Sequence, residues 1–120
     1  MSSKTVHIAI PCYDSRVFPR FDGASTFCVF DADFDSGTYS FKEERVCPQG
    51  EDTCTWLAQQ HINGVVCSGI QREYQIKLDR LGIWLVWGVS GPLTQAISQC
   101  LRQPPEKVAT EFSFLKDAEV

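Results

Sequence analysis

The sequence predicts an α/β domain built on a mixed β-sheet. In the second half of the chain, short apolar segments typical of buried strands alternate with segments whose apolar residues recur at helical spacing. In the first half, three strand-like segments follow one another with no helical segment between them. A length of 120 residues favours one domain, and a content of 43% hydrophobic and 22% charged residues is typical of globular proteins.

The first half of the chain predicts three strands. Residues 6–10 are apolar on both faces, as in a central strand that ends at a proline. Residues 26–33 and 38–46 are separated by an Asp-Ser-Gly turn, so we expect them to form a hairpin. Residues 11–25 are rich in turn-forming and charged residues, which predicts a long loop of the kind that is functional or mobile.

The second half predicts three helices that alternate with two strands. The first helix begins at the N-cap pair Asp52-Thr53 and is expected to end at Asn63-Gly64. The second helix ends at Gly82, and the third begins after residues 90–92, where a proline stands near the first helical position. The two strands are predicted by the following apolar segments: residues 65–67 and residues 83–87.

This order of elements favours one topology. Strand–helix–strand units require parallel strands and right-handed crossovers, whereas the hairpin adds antiparallel strands at one edge. The simplest result is a mixed five-stranded sheet in the order 3-2-1-4-5 with three helices, an RNase H-like three-layer fold. Ligands favour the crevice at the carboxyl ends of neighbouring parallel strands. We expect that crevice to be lined by residues 12–24, 68–72 and 88–91.

Composition excludes several kinds of partner. The net charge is −4 and the sequence has no basic cluster, so we expect no nucleic-acid partner. No segment approaches the roughly 20 apolar residues of a membrane span, and no secretory signal is visible, so we expect a cytoplasmic protein without a membrane partner. In a reducing compartment, the six cysteines would be free, metal-bound or redox-active.

Several segments, taken in order, carry a resemblance to a known family. They are Ile8-Ala-Ile-Pro11, Val17-Phe-Pro-Arg-Phe-Asp-Gly-Ala24, Gly64-Val-Val-Cys-Ser-Gly-Ile70, Leu81-Gly-Ile83 and Gly88-Val-Ser-Gly-Pro-Leu-Thr-Gln-Ala-Ile97. With this order and spacing, the chain resembles the dinitrogenase iron–molybdenum cofactor biosynthesis family, the NifX-like domains, over about residues 5–102. We therefore divide the chain into a NifX-like cofactor-binding domain over 1–103 and a tail over 104–120, which forms a short helix or stays loose.

The resemblance implies an RNase H-like fold without nuclease activity. It also implies that the protein binds or carries an iron–sulfur or molybdenum-containing cluster, works with cofactor-assembly proteins and is not an enzyme; it leaves the oligomeric state open. The family loop typically has a His-Phe-Gly step where this chain has Arg20, Phe21 and Asp22. Because arginine stays protonated, Arg20 is not expected to ligate a metal, but it can pair with an anionic thiometallate.

Cys12 and Cys67 are the candidate metal ligands. Cys12 follows the first strand and opens the long loop at the predicted crevice, whereas Cys67 lies near the end of the fourth strand. Without a metal, Cys12 would be a partly buried residue at a strand end and Cys67 a small buried hydrophobic residue. Around them, the residues expected to line the cofactor are Arg20, Phe21, Ser68 and Gly69, together with Cys12.

The other four cysteines are not candidate ligands of the cluster. Cys28 and Cys100 are expected in the core, and Cys47 and Cys54 are expected to be exposed. The last two are either a redox pair, a second metal site or two unrelated surface cysteines, and we favour the third interpretation. A cofactor-free protein-interaction module remains an alternative because the family histidine is absent and the tail carries phenylalanines, and a thiol redox protein that uses Cys47 and Cys54 is another. A nuclease is disfavoured because residues 6–10 contain no carboxylate.

Overall fold

A computed structural model describes residues 5–102, which form a mixed six-stranded sheet and three helices. The strands β1 to β6 span, in order, Thr5–Tyr13, Arg16–Val17, Thr26–Asp33, Thr38–Val46, Gly64–Val66 and Trp84–Val86. The helices α1 to α3 span Thr53–Gln59, Arg72–Arg80 and Leu93–Arg102. A 3-10 turn spans Phe21–Gly23. The predicted tail over 104–120 lies outside the described residues.

The main path of the sheet runs β4-β3-β1-β5-β6, and β2 pairs with β1 off this path. β1 is parallel to β5 and antiparallel to β3, so it lies at the junction between the parallel and antiparallel parts. The mixed sheet and the three helices confirm the predicted α/β class. The strand order differs in one detail from the predicted five strands, because β2 adds a sixth.

The predicted long loop over residues 11–25 is wrong in its first part. β1 continues through Pro11 to Tyr13, and the chain reverses at Asp14 and Ser15 before β2 runs back antiparallel to β1. Both turn residues have positive φ, 56° and 65°, the combination that a two-residue hairpin of type I′ requires. Pro11 does not end the strand because its carbonyl still accepts a hydrogen bond from the Phe18 backbone N–H at 2.8 Å.

The two faces of the sheet bury two separate cores. α1 and α2 pack on one face, with Leu57 and Leu78 among the fully buried side chains there. α3 packs on the other face through Ala96 and Ile97. All six cysteines are buried. Within residues 5–102, no helix is both long enough and apolar enough to cross a membrane.

The first helix begins as predicted but ends earlier. The Asp52 side chain accepts a hydrogen bond from the Thr55 backbone N–H and caps α1. α1 ends at Gln59, and His61 lies beyond it with a φ of 62°. Gly64 is therefore not a helix stop but the first residue of β5, where the indole ring of Trp84 occupies the space of a Cβ.

Candidate metal centre

The segments that follow β1, β5 and β6 meet at one edge of the sheet, as the topology predicts. Arg20 forms a parallel β-bridge with Gly69. The Phe21 N–H donates to the Gly69 carbonyl at 2.8 Å, and the Gly69 N–H donates to the Pro19 carbonyl at 2.9 Å. The predicted crevice is thus closed by backbone hydrogen bonds, and its backbone groups are already engaged.

Arg20 and Phe21 have different surroundings within this crevice. The Arg20 side chain is 68% exposed, and its Nη2 and Nε lie 3.0 and 3.3 Å from the two carboxylate oxygens of Asp22. The Phe21 ring is 1% exposed and packs against the rings of Phe27 and Tyr74 at centroid distances of 5.9 and 5.7 Å. Arg20 is available to a ligand from solvent, whereas Phe21 is a core residue.

Ser68 and Gly69 lie beside these residues in the loop after β5. Ser68 is half-buried and Gly69 is exposed. A Cβ at Gly69 would lie 3.0 Å from the Pro19 carbonyl oxygen, so glycine permits the close approach of the two segments. The structure therefore brings Arg20, Phe21, Ser68 and Gly69 together, although none of these four residues supplies a soft metal ligand.

The Cys12 thiol meets the Cys28 thiol and not that of Cys67. The Cys28 Sγ donates to the Cys12 Sγ at 2.8 Å, and the Cys12 Sγ lies 3.8 Å from the Thr26 carbonyl oxygen. In the β1–β3 register, Ile10 is opposite Cys28, so Cys12 is its diagonal neighbour on the same face. Cys12 and Cys28 are only 7% and 3% exposed.

Glu44 adds a carboxylate to this thiol pair. It lies directly opposite Cys28 in the β3–β4 register. One ligand atom from each of Cys12, Cys28 and Glu44 lies within 4.8 Å of the other two. Unlike the thiols, Glu44 is exposed, so the group is reachable from solvent on its carboxylate side.

An open groove lies beside these three residues. It has a volume of about 370 Å³ and separates β3 and β4 from the beginning of α3. Its lining consists of Ser15, Cys28, Phe30, Phe41, Glu44, Pro92, Leu93 and Thr94. The groove thus reaches Cys28 and has both apolar and polar walls.

Burial keeps the two thiols protonated. Desolvation raises the pKa of Cys12, although the hydrogen bond from Cys28 partly opposes this effect. Burial raises the pKa of Cys28 further, and the neighbouring Cys12 thiol acts in the same direction. A metal that binds here must displace the thiol protons, because the thiolate is the ligand.

Cys67 lies on the other face of the sheet from Cys12. Cys12 belongs to the core under α3, and Cys67 belongs to the core under α1 and α2. The physical reason is strand alternation: Val66 points towards α3, so the next residue points away from it. The structure thus does not assemble the predicted pair of metal ligands, and burial raises the pKa of Cys67 to about 12.

The prediction that Cys47 and Cys54 are exposed is wrong. Cys47 is 7% exposed and Cys54 is fully buried in the core under α1 and α2. Burial raises the pKa of Cys47, and it raises the pKa of Cys54 to about 11. The position of Cys54 in the first turn of α1 therefore does not produce a reactive thiolate, because its desolvation dominates.

Cys28 and Glu44 belong to the site, but the sequence does not predict them there. Cys28 is buried, as its predicted place in the core requires, and no motif in the sequence distinguishes Glu44 from its neighbours. The antiparallel pairing of β1 with β3 is the signal that indicates Cys28. In this register, Cys28 is two residues from the position opposite Cys12, so both cysteines lie on the same face.

The fold and this site define a small α/β domain with a pair of thiols and a carboxylate beside an open groove. Residues 4–103 match the sequence model of the family described as dinitrogenase iron-molybdenum cofactor. The chain belongs to this family, which confirms the resemblance seen in the sequence motifs. A search of curated proteins found no match.

Solved structures share the fold at low sequence identity. The crystal structure of PH0822 has a TM-score of 0.70 and 23% identity, covering 82% of this chain and 90% of that one. The crystal structure of a candidate dinitrogenase from Methanocaldococcus jannaschii has a TM-score of 0.65 and 16% identity, covering 84% and 92%. The NMR structure of a candidate NifB protein from Thermotoga has a TM-score of 0.53 and 22% identity, covering 77% and 84%. At these identities, the comparison concerns the fold alone.

Proposed function

We propose that this protein binds or carries an iron–sulfur or molybdenum-containing cluster during cofactor assembly, as a carrier and not as an enzyme. Its partners would be the cluster and other cofactor-assembly proteins, in a reducing compartment such as the cytoplasm. Family membership supports a role related to this cofactor. The proposal includes an RNase H-like topology for the domain.

The observation that carries the proposal is the pair of thiols, Cys12 and Cys28, beside an open groove. Iron–sulfur clusters are held by cysteine thiolates, and thiolates are the soft ligands that select such clusters. Cys28 is one of the residues that line the groove, so a cluster ligated there would extend into a space that is already open. Cys12, the ligand predicted from the sequence, supplies the second sulfur.

The crevice would contribute charge and not ligands. Thiometallates are anions, and the exposed guanidinium of Arg20 can donate several hydrogen bonds to one. The Asp22 carboxylate accepts hydrogen bonds from that guanidinium, so anion binding would require Arg20 to leave Asp22. Phe21 would act by holding the turn in the core, since its ring is buried against Phe27 and Tyr74.

The proposal is tested by anaerobic loading with iron and sulfide, or with tetrathiomolybdate, of the wild type, Cys12→Ser and Cys28→Ser. Cys100→Ser is the matched control, because Cys100 is a buried thiol in the same core but outside the site. Bound metal and absorbance above 300 nm are measured, with circular dichroism to verify folding. We expect loading in the wild type and the control and loss of loading in the two site variants.

Two results would contradict the proposal in different ways. Loading that is equal in all four proteins would place the cluster elsewhere in the chain. A wild type that binds none of these metals would overturn the carrier function itself.

A protein-interaction module without a cofactor is the second candidate, and one observation favours it. Among the described residues, β4 is an edge strand that pairs only with β3. Phe41 and Val46 on this strand are 55% and 63% exposed. An exposed edge with apolar side chains is able to accept a strand from another chain. Isothermal titration of the metal-free protein against cofactor-assembly proteins distinguishes this candidate from a carrier that needs its cluster to bind.

A further inference from the structure

We propose that Cys12, Cys28 and Glu44 form a binding site for a single thiophilic divalent cation, with zinc(II) as the ion that their donor set fits best. This inference shares two thiols with the proposed function but concerns a different ligand, a mononuclear ion that the site takes without sulfide or an assembled cluster. It adds Glu44, a residue to which the cluster proposal gives no role.

The backbone places the three donors on three adjacent strands. Cys12 is on β1, Cys28 on β3 and Glu44 on β4, and hydrogen-bonded ladders fix the register of both strand pairs. Cys28 and Glu44 are direct cross-strand neighbours, and Cys12 is a diagonal neighbour of Cys28 on the same face. The site therefore requires only side-chain adjustments and no backbone rearrangement.

The separations of the donors suit tetrahedral coordination after a small adjustment. Zinc binds thiolate sulfur at about 2.3 Å and carboxylate oxygen at about 2.0–2.2 Å, so its ligand atoms lie about 3.6–3.8 Å apart. The two sulfurs are 2.8 Å apart, and all three donors fall within 4.8 Å of one another. An opening of the sulfur pair by about 1 Å satisfies zinc geometry.

The mixture of donors distinguishes between the possible ions. Thiolates alone would favour copper(I) or an iron–sulfur cluster, whereas a carboxylate alone would favour magnesium or calcium. Zinc accepts both sulfur and oxygen, and three protein ligands leave it a fourth position. That position can be filled by water, since the groove beside Cys28 and Glu44 is open to solvent.

Zinc binding at the proposed site conserves both charge and protons. The incoming dication replaces the two thiol protons, which leave to solvent, and binds the two resulting thiolates and the Glu44 carboxylate. No electron is transferred, because zinc has no redox chemistry at this site. The entry path passes Glu44, the one exposed member of the three.

The experiment titrates zinc(II) alone into reduced, metal-free full-length protein in competition with a chromophoric chelator. The wild type is compared with Glu44→Gln, Cys28→Ser and the control Glu43→Gln, a neighbouring acidic residue on β4 that is not one of the three donors. We expect one zinc per chain in the wild type and the control, and loss of binding in Cys28→Ser. In Glu44→Gln we expect an affinity lower by at least on the order of tenfold to 100-fold, the loss that removal of an outer-shell partner of a metal ligand already causes. Cobalt(II) as a substitute should show thiolate-to-metal charge-transfer absorption that disappears in Cys28→Ser.

Two results would overturn the inference: a wild type that binds no zinc, or a Glu44→Gln variant that binds zinc as the wild type does. Circular dichroism of each variant separates loss of the site from loss of the fold. The same variants test the cluster proposal separately from the zinc proposal. Glu44→Gln keeps both thiols and should still load iron and sulfide, so loss of zinc with retained cluster loading supports both proposals. Zinc binding without cluster loading in the wild type supports this one alone.

Discussion

Glu44 lies opposite Cys28 because β4 contains one residue more than a regular hairpin would place there. Near the turn, Phe30 pairs with Phe41, but the next pairs are Val29 with Glu43 and Cys28 with Glu44. Lys42 is left without a counterpart in the register, as in a β-bulge. The bulge allows both Phe41 and Glu44 to line the groove, and it puts Glu44 opposite Cys28 where a regular register would put Glu43.

Burial of the two site thiols makes their reactivity depend steeply on pH. Their pKa values lie above the ordinary 9.0, so at neutral pH only a small fraction is thiolate, the nucleophilic form. We expect iodoacetamide to alkylate native Cys12 and Cys28 more slowly than the urea-unfolded chain, with a rate that rises about tenfold per pH unit between pH 7 and 9. Peptide mass spectrometry measures each site. Fast alkylation of Cys12 at pH 7 would contradict this prediction.

Gly64 has no room for a larger residue. A Cβ at this position would overlap the indole ring of Trp84 on the neighbouring strand β6. We expect Gly64→Ala to lower the free energy of unfolding by about 1–3 kcal/mol, the usual cost of overpacking, as measured by urea denaturation. Gly23→Ala is the control, because its Cβ would only touch the Phe18 ring at 3.4 Å. Partial rescue of Gly64→Ala by Trp84→Leu is expected, and its absence would refute the steric explanation.

Phe21 is expected to act through stability and not through ligand contact. Phe21→Ala removes a fully buried ring and should cost about 3–5 kcal/mol, whereas Phe21→Leu conserves most of the apolar volume and should cost less than about 1.5 kcal/mol. Thermal unfolding measures both variants, and metal loading is then measured on Phe21→Leu. A folded Phe21→Leu protein that no longer loads metal would restore the cofactor-contact role predicted from the sequence.

The N-cap of α1 predicts a loss of stability in acid. The Lys77 ammonium holds the pKa of the Asp52 carboxyl below its usual 3.8, and hydrogen bonds from Thr55 act in the same direction. Because the folded pKa is the lower one, the charged cap stabilises the protein above about pH 4, and this contribution is lost as the pH falls through the folded pKa. Asp52→Ala should cost about 1 kcal/mol at pH 7 and progressively less as the pH falls below about 4, as measured by urea unfolding at a series of pH values. A cost that does not change with pH would contradict this account.

The fold was largely predictable because its local signals agree with its topology. The alternation of helices and strands after Asp52, and the hairpin before it, predict the mixed sheet and its three helices. β2 does not follow from the sequence because residues 14–15 form a type I′ turn without the usual Asn-Gly or Asp-Gly pair, and because β1 continues past Pro11, a residue that predicts the end of a strand.

The site was predictable only in part. The position of Cys12 after a central apolar segment indicated a place at the sheet edge, and the convergence with Gly69 followed from the parallel strands. The pairing with Glu44 depends on a one-residue bulge, which leaves no mark in the hydrophobic pattern. The face on which Cys67 lies depends on strand phase, and a shift of one residue reverses it.

The separation of the two cores divides the six cysteines into equal groups. Cys12, Cys28 and Cys100 share one side of the sheet, and Cys47, Cys54 and Cys67 share the other. A hydrogen-bonded sheet between close-packed layers offers no passage for an ion. A metal taken up beside Glu44 would therefore have to leave on the side of the sheet by which it arrived, so a receiving protein would approach this molecule on the face that carries α3.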